Sequence, residues 1–459
     1  MIFPGEFTGR IEKQSYINAE ALLEALEEPS PVSIRLNPFK WLKEPAGGLK
    51  VQWCDHGWYL GSRPSYTLDP LFHSGCYYPQ EASGMFAGEA FRQLSEGMSN
   101  IKVLDLCGAP GGKSTNISSA LGGRGVLVTN EVIRQRAGIL SSNMARWGIA
   151  NTIVTSSDPS AFSRLGNYFD IITVDAPCSG EGMFRDEIAI REWSVANAKL
   201  CSERQRRILG DIWPALKNEG FLIYSTCTFN PSENEENVKW LAGETGAESV
   251  SLNIERFAGI QEIEYMGIKG YGFYPGMIAG EGFFLAVLRK KGAGVTTGRT
   301  GSAKSVNKIS REEEVMVSRL FNGKTESLIK RDGKIFSVPV TPAEFEFLGS
   351  RISIIKSGTF ICEVKGAEAI PTHELALSVL RKEDAFPSTE LNYEDAVAFL
   401  RKENLKPGNM SNGWNVMQYK GIALGFTKSM GSRINNYFPV EWRIRMSGDR
   451  TKEDIIGWK

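Results

Sequence analysis

Three short segments of this sequence share one construction, which restricts the fold more than any other feature. Each is an apolar, β-branched run that ends abruptly in small, polar or sulfur-bearing residues: VLDLCGAPGGKS at 103–114, TVDAPCSGEG at 173–182 and YSTCT at 224–228. Such runs are typical of buried parallel strands. Ligands bind at the carboxyl ends of the strands in open α/β sheets. We therefore predict that the three segments meet at one edge of a sheet and form a site there.

The segments lie in a region where predicted strands and helices alternate. Strands are predicted at 102–106, 125–130, 152–155, 170–175, 220–225 and 283–289, and helices at 113–121, 132–147, 189–216 and 232–242. The alternation predicts an α/β fold, namely a doubly wound, Rossmann-like parallel sheet with helices on both faces.

The chain is too long for one hydrophobic core, so we divide it into units. Of its 459 residues, 1–95 are predicted to form a small α/β domain that binds RNA, and 96–291 to form the catalytic domain. The remainder is divided into a basic linker at 292–308, an accessory domain at 309–388 and a strand-rich domain at 389–459.

The formal net charge is zero, so any surface for a polyanion has to be local. The segment 289–308 has six basic residues and no acidic one, and 404–440 also lacks acids while it carries Lys406, Lys420, Lys428 and Arg433. In the first domain, aromatic residues between 40 and 78 are interleaved with Lys50 and Arg63. We interpret those aromatic residues as the core of the domain, with stacking on unpaired bases as the alternative.

Cysteine and histidine usage argues against metal and disulfide chemistry. The seven cysteines form no C-x-x-C pair, and the three histidines are not in ligand spacing with any cysteine. No signal peptide and no apolar run of transmembrane length is recognisable. We therefore expect a cytoplasmic, monomeric protein that binds neither a metal nor a membrane.

The glycine-rich turn at 105–113 has three cofactor interpretations. It does not match the G-x-G-x-x-G of dinucleotide sites. A phosphate-binding loop has a glycine five residues before its Gly-Lys-Ser, and that position is Cys107 here, so an NTPase is the competing interpretation.

The third interpretation is S-adenosylmethionine. Close approach of the backbone to a ligand is possible at three glycines: Gly108, Gly111 and Gly112. Glu131 ends the second strand, where a carboxylate suits ribose hydroxyls, and Asp158 follows the third strand, where it would meet the adenine. Lys113 would hold the carboxylate of the cofactor or cap the loop.

Cys178 and Cys227 follow the fourth and fifth strands, and Asp175 precedes Cys178. C5 of a pyrimidine is a poor nucleophile, but addition of a thiolate to C6 makes C5 able to attack a methyl group. A carboxylic acid that is hydrogen-bonded at N3 stabilises the charge that develops. Methyl transfer to an exocyclic amine needs no thiol. This reasoning favours methylation of carbon, and leaves open which cysteine is the nucleophile.

Several segments can be matched to a known family. DLCGAPGGKS, TNE, DAPCSGEGMF, STCTFNPSENEENV and GEGFFLAVLR resemble the Sun-type RNA (cytosine-C5)-methyltransferases, and the layout of the whole chain resembles their bacterial RsmF branch. LGFTKSMGSRINNYFPVEWRIR resembles the RNA-binding PUA-like module. The resemblance implies methylation of 16S ribosomal RNA, or of the 30S subunit that contains it, with the target base flipped into the pocket.

The resemblance also implies roles for individual residues. Cys227 would be the nucleophile, Cys178 would act in product release or proton removal, and Asp175 would serve both cofactor and base. The implied cofactor positions are Cys107, Gly108, Ala109, Pro110, Gly111, Gly112, Lys113, Glu131, Arg136, Asp158 and Asp175.

The sequence departs from the family pattern in two places. Gly108 stands where alanine is more usual, an exchange that we expect to be harmless. Tyr274-Pro275-Gly276 stands where many relatives have a Pro-His pair, which puts substrate contacts there in doubt. A tRNA cytosine-C5 methyltransferase and a non-catalytic rRNA chaperone with a degenerate methyltransferase fold are the alternative functions.

Overall fold

The computed structural model describes residues 2–292, 309–366, 368–405, 410–431, 433–446 and 455–459. All but the first residue of the predicted linker at 292–308, and also Lys406, lie outside the described residues. Within these ranges, no helix is long and apolar enough to cross a lipid bilayer.

The N-terminal region combines short helices with a small antiparallel sheet of strand order β2-β3-β1-β4. Its elements are α1 (Gly5–Ile11), α2 (Ala19–Glu27), β1 (Val32–Leu36), β2 (Leu49–Lys50), β3 (Gly57–Leu60), α3 (Pro70–His73), β4 (Tyr77–Pro79) and α4 (Phe86–Leu94).

The middle region forms the large sheet of the molecule. Its elements are β5 (Ile101–Asp105), α5 (Gly112–Leu121), β6 (Gly125–Asn130), α6 (Arg134–Trp147), β7 (Thr152–Thr155), β8 (Phe169–Asp175), α7 (Glu187–Glu192), α8 (Val195–Ile212), β9 (Leu216–Thr226), α9 (Glu235–Thr245), β10 (Glu248–Ser249), β11 (Gln261–Tyr265), β12 (Ile268–Phe273) and β13 (Phe283–Arg289).

The C-terminal region contains further small sheets. Its elements are α10 (Arg311–Ser318), β14 (Leu328–Arg331), β15 (Lys334–Ser337), α11 (Pro342–Gly349), β16 (Ile354–Ser357), β17 (Thr359–Lys365), β18 (Glu368–Pro371), α12 (His373–Leu377), β19 (Ser388–Glu390), α13 (Tyr393–Arg401), β20 (Gly413–Tyr419), β21 (Ile422–Ser429) and β22 (Ile434–Asn436).

The large sheet is Rossmann-like at its centre and mixed at its edges. Strands β9, β8, β5, β6 and β7 are parallel and adjacent in that order, as the alternating pattern predicts. The predicted parallel sheet is confirmed for these five strands, whereas the sixth predicted strand, β13, runs antiparallel to β9. The chain reaches β13 through the β11–β12 hairpin, whose two-residue turn has positive φ at Met266 and Gly267. A hairpin reverses the direction of the chain, whereas a crossover helix returns the chain to a strand parallel to the previous one.

A second difference concerns the helix that was predicted at 189–216. The chain breaks it at Trp193 and Ser194, which are extended, and the Ser194 hydroxyl then caps α8 by accepting from the backbone N–H of Asn197 (3.1 Å). The serine hydroxyl forms hydrogen bonds with nearby backbone N–H groups, so serine is disfavoured inside a helix and favoured at its N-cap.

The N-terminal, middle and C-terminal regions pack against one another. Phe7 of α1 contacts the rings of Phe184, Trp193 and Phe229 in the middle region, and β16 extends the large sheet by pairing antiparallel with β7. The interpretation of the aromatic residues between 40 and 78 as core is confirmed for the four that are buried: Trp41, Trp53, Trp58 and Tyr77.

Candidate active site

A cavity of about 520 Å³ lies where β5, β8 and β9 end. It is lined by eight of the residues that were singled out from the sequence: Cys107, Gly108, Ala109, Pro110, Gly112, Lys113, Asp175 and Cys227. The N-terminal region contributes Tyr78 and Gln80, which lie beside Gly112. The three motifs therefore meet at one edge of the sheet, as their strand-end positions predict.

The glycine loop between β5 and α5 is shaped by its surroundings. Gly111 has a φ of +122° at the start of α5, a conformation that side chains strongly disfavour. A Cβ atom at Gly108 would clash with the Thr129 hydroxyl and lie 2.7 Å from Ser114 Oγ. These hydroxyls occupy the space that an alanine side chain would need, which explains why this chain has glycine at position 108. That glycine is harmless to cofactor binding there stays a prediction.

Glu131 and Arg136 lie behind the loop, outside the residues that line the cavity. Arg136 pairs with Glu131 (3.3 Å) and donates to the Ala109 carbonyl (3.1 Å). Asp158 does not line the cavity either. Its side chain is exposed and caps the turn that follows by accepting from the N–H (3.0 Å) and hydroxyl (2.7 Å) of Ser160.

Sequence reasoning missed Asn130, which immediately precedes Glu131. Its buried amide donates to the carbonyls of Leu106 (3.1 Å) and Ser157 (3.0 Å) and accepts from the Thr155 hydroxyl (2.8 Å). The side chain thus ties together the ends of β5, β6 and β7. The only sequence signal was its place next to an acid at a strand end.

Lys113 supplies a positive charge to the cavity. Its ammonium group donates to Asp175 Oδ2 (2.9 Å) and lies over the ring of Phe283. Burial alone would lower the pKa of Lys113, but the Asp175 carboxylate and the Cys227 thiol outweigh it and raise this pKa. The other oxygen of Asp175 accepts from the Ser225 hydroxyl (2.9 Å), so both oxygens are held.

The two thiols of the second and third motifs touch. Cys178 Sγ lies 3.0 Å from Cys227 Sγ and accepts from the backbone N–H of Cys227 at 3.3 Å. The hydrogen bond to Cys227 and the burial of Cys178 raise the pKa of the Cys178 thiol well above its usual value. The burial of Cys178 and its contact with Cys227 thus both favour its neutral thiol form.

Comparison with known protein families divides the chain into three matching regions. Residues 3–82 match the N-terminal domain of 16S rRNA methyltransferase RsmF, 94–289 match 16S rRNA methyltransferase RsmB/F, and 386–444 match the methyltransferase RsmF PUA domain. The last match confirms the PUA-like module that the sequence predicted near the C-terminus.

Individual relatives match along almost the whole chain. The ribosomal RNA small subunit methyltransferase F of Pectobacterium atrosepticum is 30% identical over 95% of this chain and 95% of its own length. This chain belongs to the RsmF family. The protein of the same name from Enterobacter sp. is 29% identical over 96% of each chain.

Solved structures agree with the RsmF assignment at the level of the fold. A methyltransferase homologue from Pyrococcus horikoshii is 28% identical, with a TM-score of 0.53 over 63% of this chain and 95% of the other. NSun6 from the same organism, solved with SFG, is 20% identical with a TM-score of 0.53 over 63% of this chain and 98% of the other. The RsmF-family protein is thus a methyltransferase with a Rossmann-like sheet.

A buried carboxylate behind the thiol pair was also missed by sequence reasoning. Glu233 accepts from the Ser179 hydroxyl (2.5 Å) and backbone N–H (2.9 Å), and from the Gln205 amide (3.0 Å). Burial raises the pKa of Glu233 to about 7, although the bonds from Ser179 oppose this. Its signal was its place in the STCTFNPSENEENV stretch of the RsmF-family motif, six residues after Cys227.

Within the described ranges, no group of three or more His, Cys, Asp or Glu side chains is arranged to hold a metal ion.

Proposed function

We propose that this protein transfers the methyl group of S-adenosylmethionine to C5 of a cytosine in 16S ribosomal RNA, through a covalent bond between Cys227 and C6. The observation that carries the proposal is the contact between two thiols, 3.0 Å apart, beside the Lys113–Asp175 pair. Methylation of an exocyclic amine would use neither thiol, whereas methylation of C5 requires one nucleophile and a separate release step.

The residues around the cavity fit S-adenosylmethionine. This molecule combines ribose hydroxyls with a charged amino-acid end, and it supplies an electrophilic methyl group. The Cys107–Lys113 loop would hold it through its backbone. The Glu131 carboxylate follows the neighbouring strand, outside the cavity lining, and would accept the ribose hydroxyls in place of its contact with Arg136. Among the residues proposed for the cofactor, Asp158 has the least structural support, because its side chain is exposed and accepts a hydrogen bond from Ser160.

Cys227 is assigned the nucleophilic role because its thiol faces the cavity and interacts with the Lys113 ammonium. The thiolate adds to C6, and the Lys113 ammonium passes a proton through Asp175 to N3 of the ring, which neutralises the negative charge that spreads toward that nitrogen. C5 then carries the electron density that attacks the methyl group.

Cys178 is assigned to release. Once Cys227 is bonded to C6 it is a neutral thioether, so the thiol–thiol hydrogen bond that raises the pKa of Cys178 is lost. Burial still opposes ionisation of Cys178, so this thiol has to pass its own proton to solvent before, as the thiolate, it accepts the proton from C5. The C5–H electron pair becomes the C5=C6 double bond, and the electrons of the S–C6 bond return to Cys227.

Two substitutions test these roles. Cys227→Ala should lower methylation of 16S rRNA by at least about a thousandfold and leave S-adenosylmethionine binding, measured by calorimetry, unchanged. Cys178→Ala should trap a covalent protein–RNA adduct, visible as a shifted band on a denaturing gel. Cys362→Ala is the matched control, because that thiol is buried in the C-terminal region. Full turnover by Cys227→Ala, or freely released product with Cys178→Ala, would contradict the assignment.

RNA would be held by the flanking domains through phosphate contacts and stacking. Of the basic residues predicted for this purpose, Lys428 pairs with Glu368 (2.6 Å) and Arg433 is exposed. These residues support a local RNA surface on a chain whose net charge is zero.

A further inference from the structure

Glu233 is a fully buried carboxylate to which the proposed chemistry assigns no role. It lies on the chain between β9 and α9, and its carboxylate faces the loop that carries Cys178. Oε1 accepts from the Ser179 hydroxyl at 2.5 Å, and Oε2 accepts from the Ser179 backbone N–H at 2.9 Å. The residue that follows Cys178 is therefore held by both oxygens of one carboxylate.

The residue that precedes Cys178 is held by the same group through one intermediary. The buried amide of Gln205 on α8 donates both to the Pro177 carbonyl and to Glu233 Oε2, each at 3.0 Å. Glu233 thus fixes the backbone on both sides of Cys178. Hydrogen bonds to the residues before and after Cys178 restrict its backbone and so hold its side chain at a defined position.

Glu233 is also tied to the loop of the other thiol. The Ser179 hydroxyl lies 3.0 Å from the hydroxyl of Thr228, the residue after Cys227, and the backbone carbonyl of Glu233 accepts from the Tyr224 hydroxyl on β9 (2.6 Å). The network joins the two loops on the side away from the cavity, so it sets the distance between the two thiols.

We propose that Glu233 is a positioning residue for the release step: with Gln205 and Ser179 it holds Cys178 against Cys227, where Cys178 reaches the proton on C5. This inference rests on the proposed function. It predicts that loss of the carboxylate slows release while the first methyl transfer, which depends on Cys227 and Lys113, continues.

Glu233→Gln is the primary test, because it preserves shape but leaves one acceptor oxygen for three donors. We expect its first turnover, measured by rapid quench with excess enzyme, to stay within about threefold of the wild-type rate. Steady-state turnover should fall by about tenfold or more. The covalent RNA adduct should accumulate on a denaturing gel, a signature that a general loss of stability would not produce.

Glu235→Gln is the matched control. Glu235 lies two residues away and is also buried. It accepts from the Tyr16 hydroxyl (3.2 Å) and not from a residue next to either thiol. It should turn over at the wild-type rate without accumulation of adduct. Ser179→Ala is a second variant, which removes the hydroxyl that joins Glu233 to Thr228 and should show the same accumulation to a smaller extent.

Cys178→Ala, tested in parallel, separates the two ideas. If Cys178→Ala traps adduct and neither Glu233→Gln nor Ser179→Ala does, the positioning role of Glu233 is overturned while the proposed function stands. If Cys178→Ala itself traps none, the release step fails and the inference fails with it. Loss of the first turnover in a folded Glu233→Gln protein would also overturn the proposal, since it would place Glu233 with the nucleophile.

Discussion

At the scale of single residues, the groups proposed for the chemistry follow strand ends, whereas the groups that support them are held by hydrogen bonds between distant parts of the chain. Cys178, Cys227 and Asp175 could be grouped in advance because each follows or ends a predicted strand, and parallel strands bring such positions together. Glu233 and Asn130 could not, because their importance lies in hydrogen bonds to residues distant in the chain. The role of Asp158 stays a prediction, because a position after a strand is shared by functional acids and by caps, and Asp158 caps the turn at Ser160.

Gly108 gives a direct test of the packing around the cofactor loop. Gly108→Ala should destabilise the protein by about 2 kcal/mol, because the added methyl group would overlap the Thr129 hydroxyl in a filled space. The measurement is the midpoint of thermal unfolding.

The double variant Gly108→Ala with Thr129→Ala should recover most of the loss, because the second change removes the clashing hydroxyl. If the two changes simply add, the overlap with Thr129 is not the reason for glycine at this position.

At the scale of elements, the hydrophobic pattern predicted well which segments form strands and where these strands begin and end. It predicted less well the direction in which a strand runs. The strands predicted at 125–130, 152–155 and 283–289 have those bounds in the structure. The direction of β13 depends on the hairpin β11–β12 before it, and no predicted strand was assigned to those residues. The break between α7 and α8 depends on capping by Ser194, a local competition that apolar spacing does not reveal.

The N-terminal helix α1 gives a test at this scale. Phe7 is fully buried against rings that adjoin the two cysteine loops: Phe184, Trp193 and Phe229. Phe7→Ala should remove about 3 to 5 kcal/mol of packing and increase hydrogen exchange in 178–184 and 227–229. Ile2→Ala, at a residue that is 94% exposed, is the control. Unchanged exchange in both loops for Phe7→Ala would mean that α1 does not support the site.

At the scale of the whole molecule, sequence reasoning separated units that the structure joins. Trp458 near the C-terminus packs on Trp41 (5.5 Å between ring centroids) and Tyr77 (5.6 Å) of the N-terminal region. In the same way, β16 of the C-terminal region pairs with β7 of the large sheet. Contacts between residues so far apart in the chain do not produce a periodic pattern in the sequence. Composition and hydrophobic pattern therefore could not predict them.

The N-terminal and middle regions together line one cavity, and the central claim is that a cytosine of 16S rRNA is methylated there at C5. The most direct measurement is incubation of the purified protein with 16S rRNA, as naked RNA and as 30S subunits, and S-adenosylmethionine with a deuterated methyl group. The RNA is then digested to nucleosides for mass spectrometry, with Cys227→Ala protein as the control. We predict labelled 5-methylcytidine with the wild-type protein and none with the variant. Label on the exocyclic nitrogen of cytidine, label that persists with Cys227→Ala, or label on tRNA and not on 16S rRNA would contradict this account.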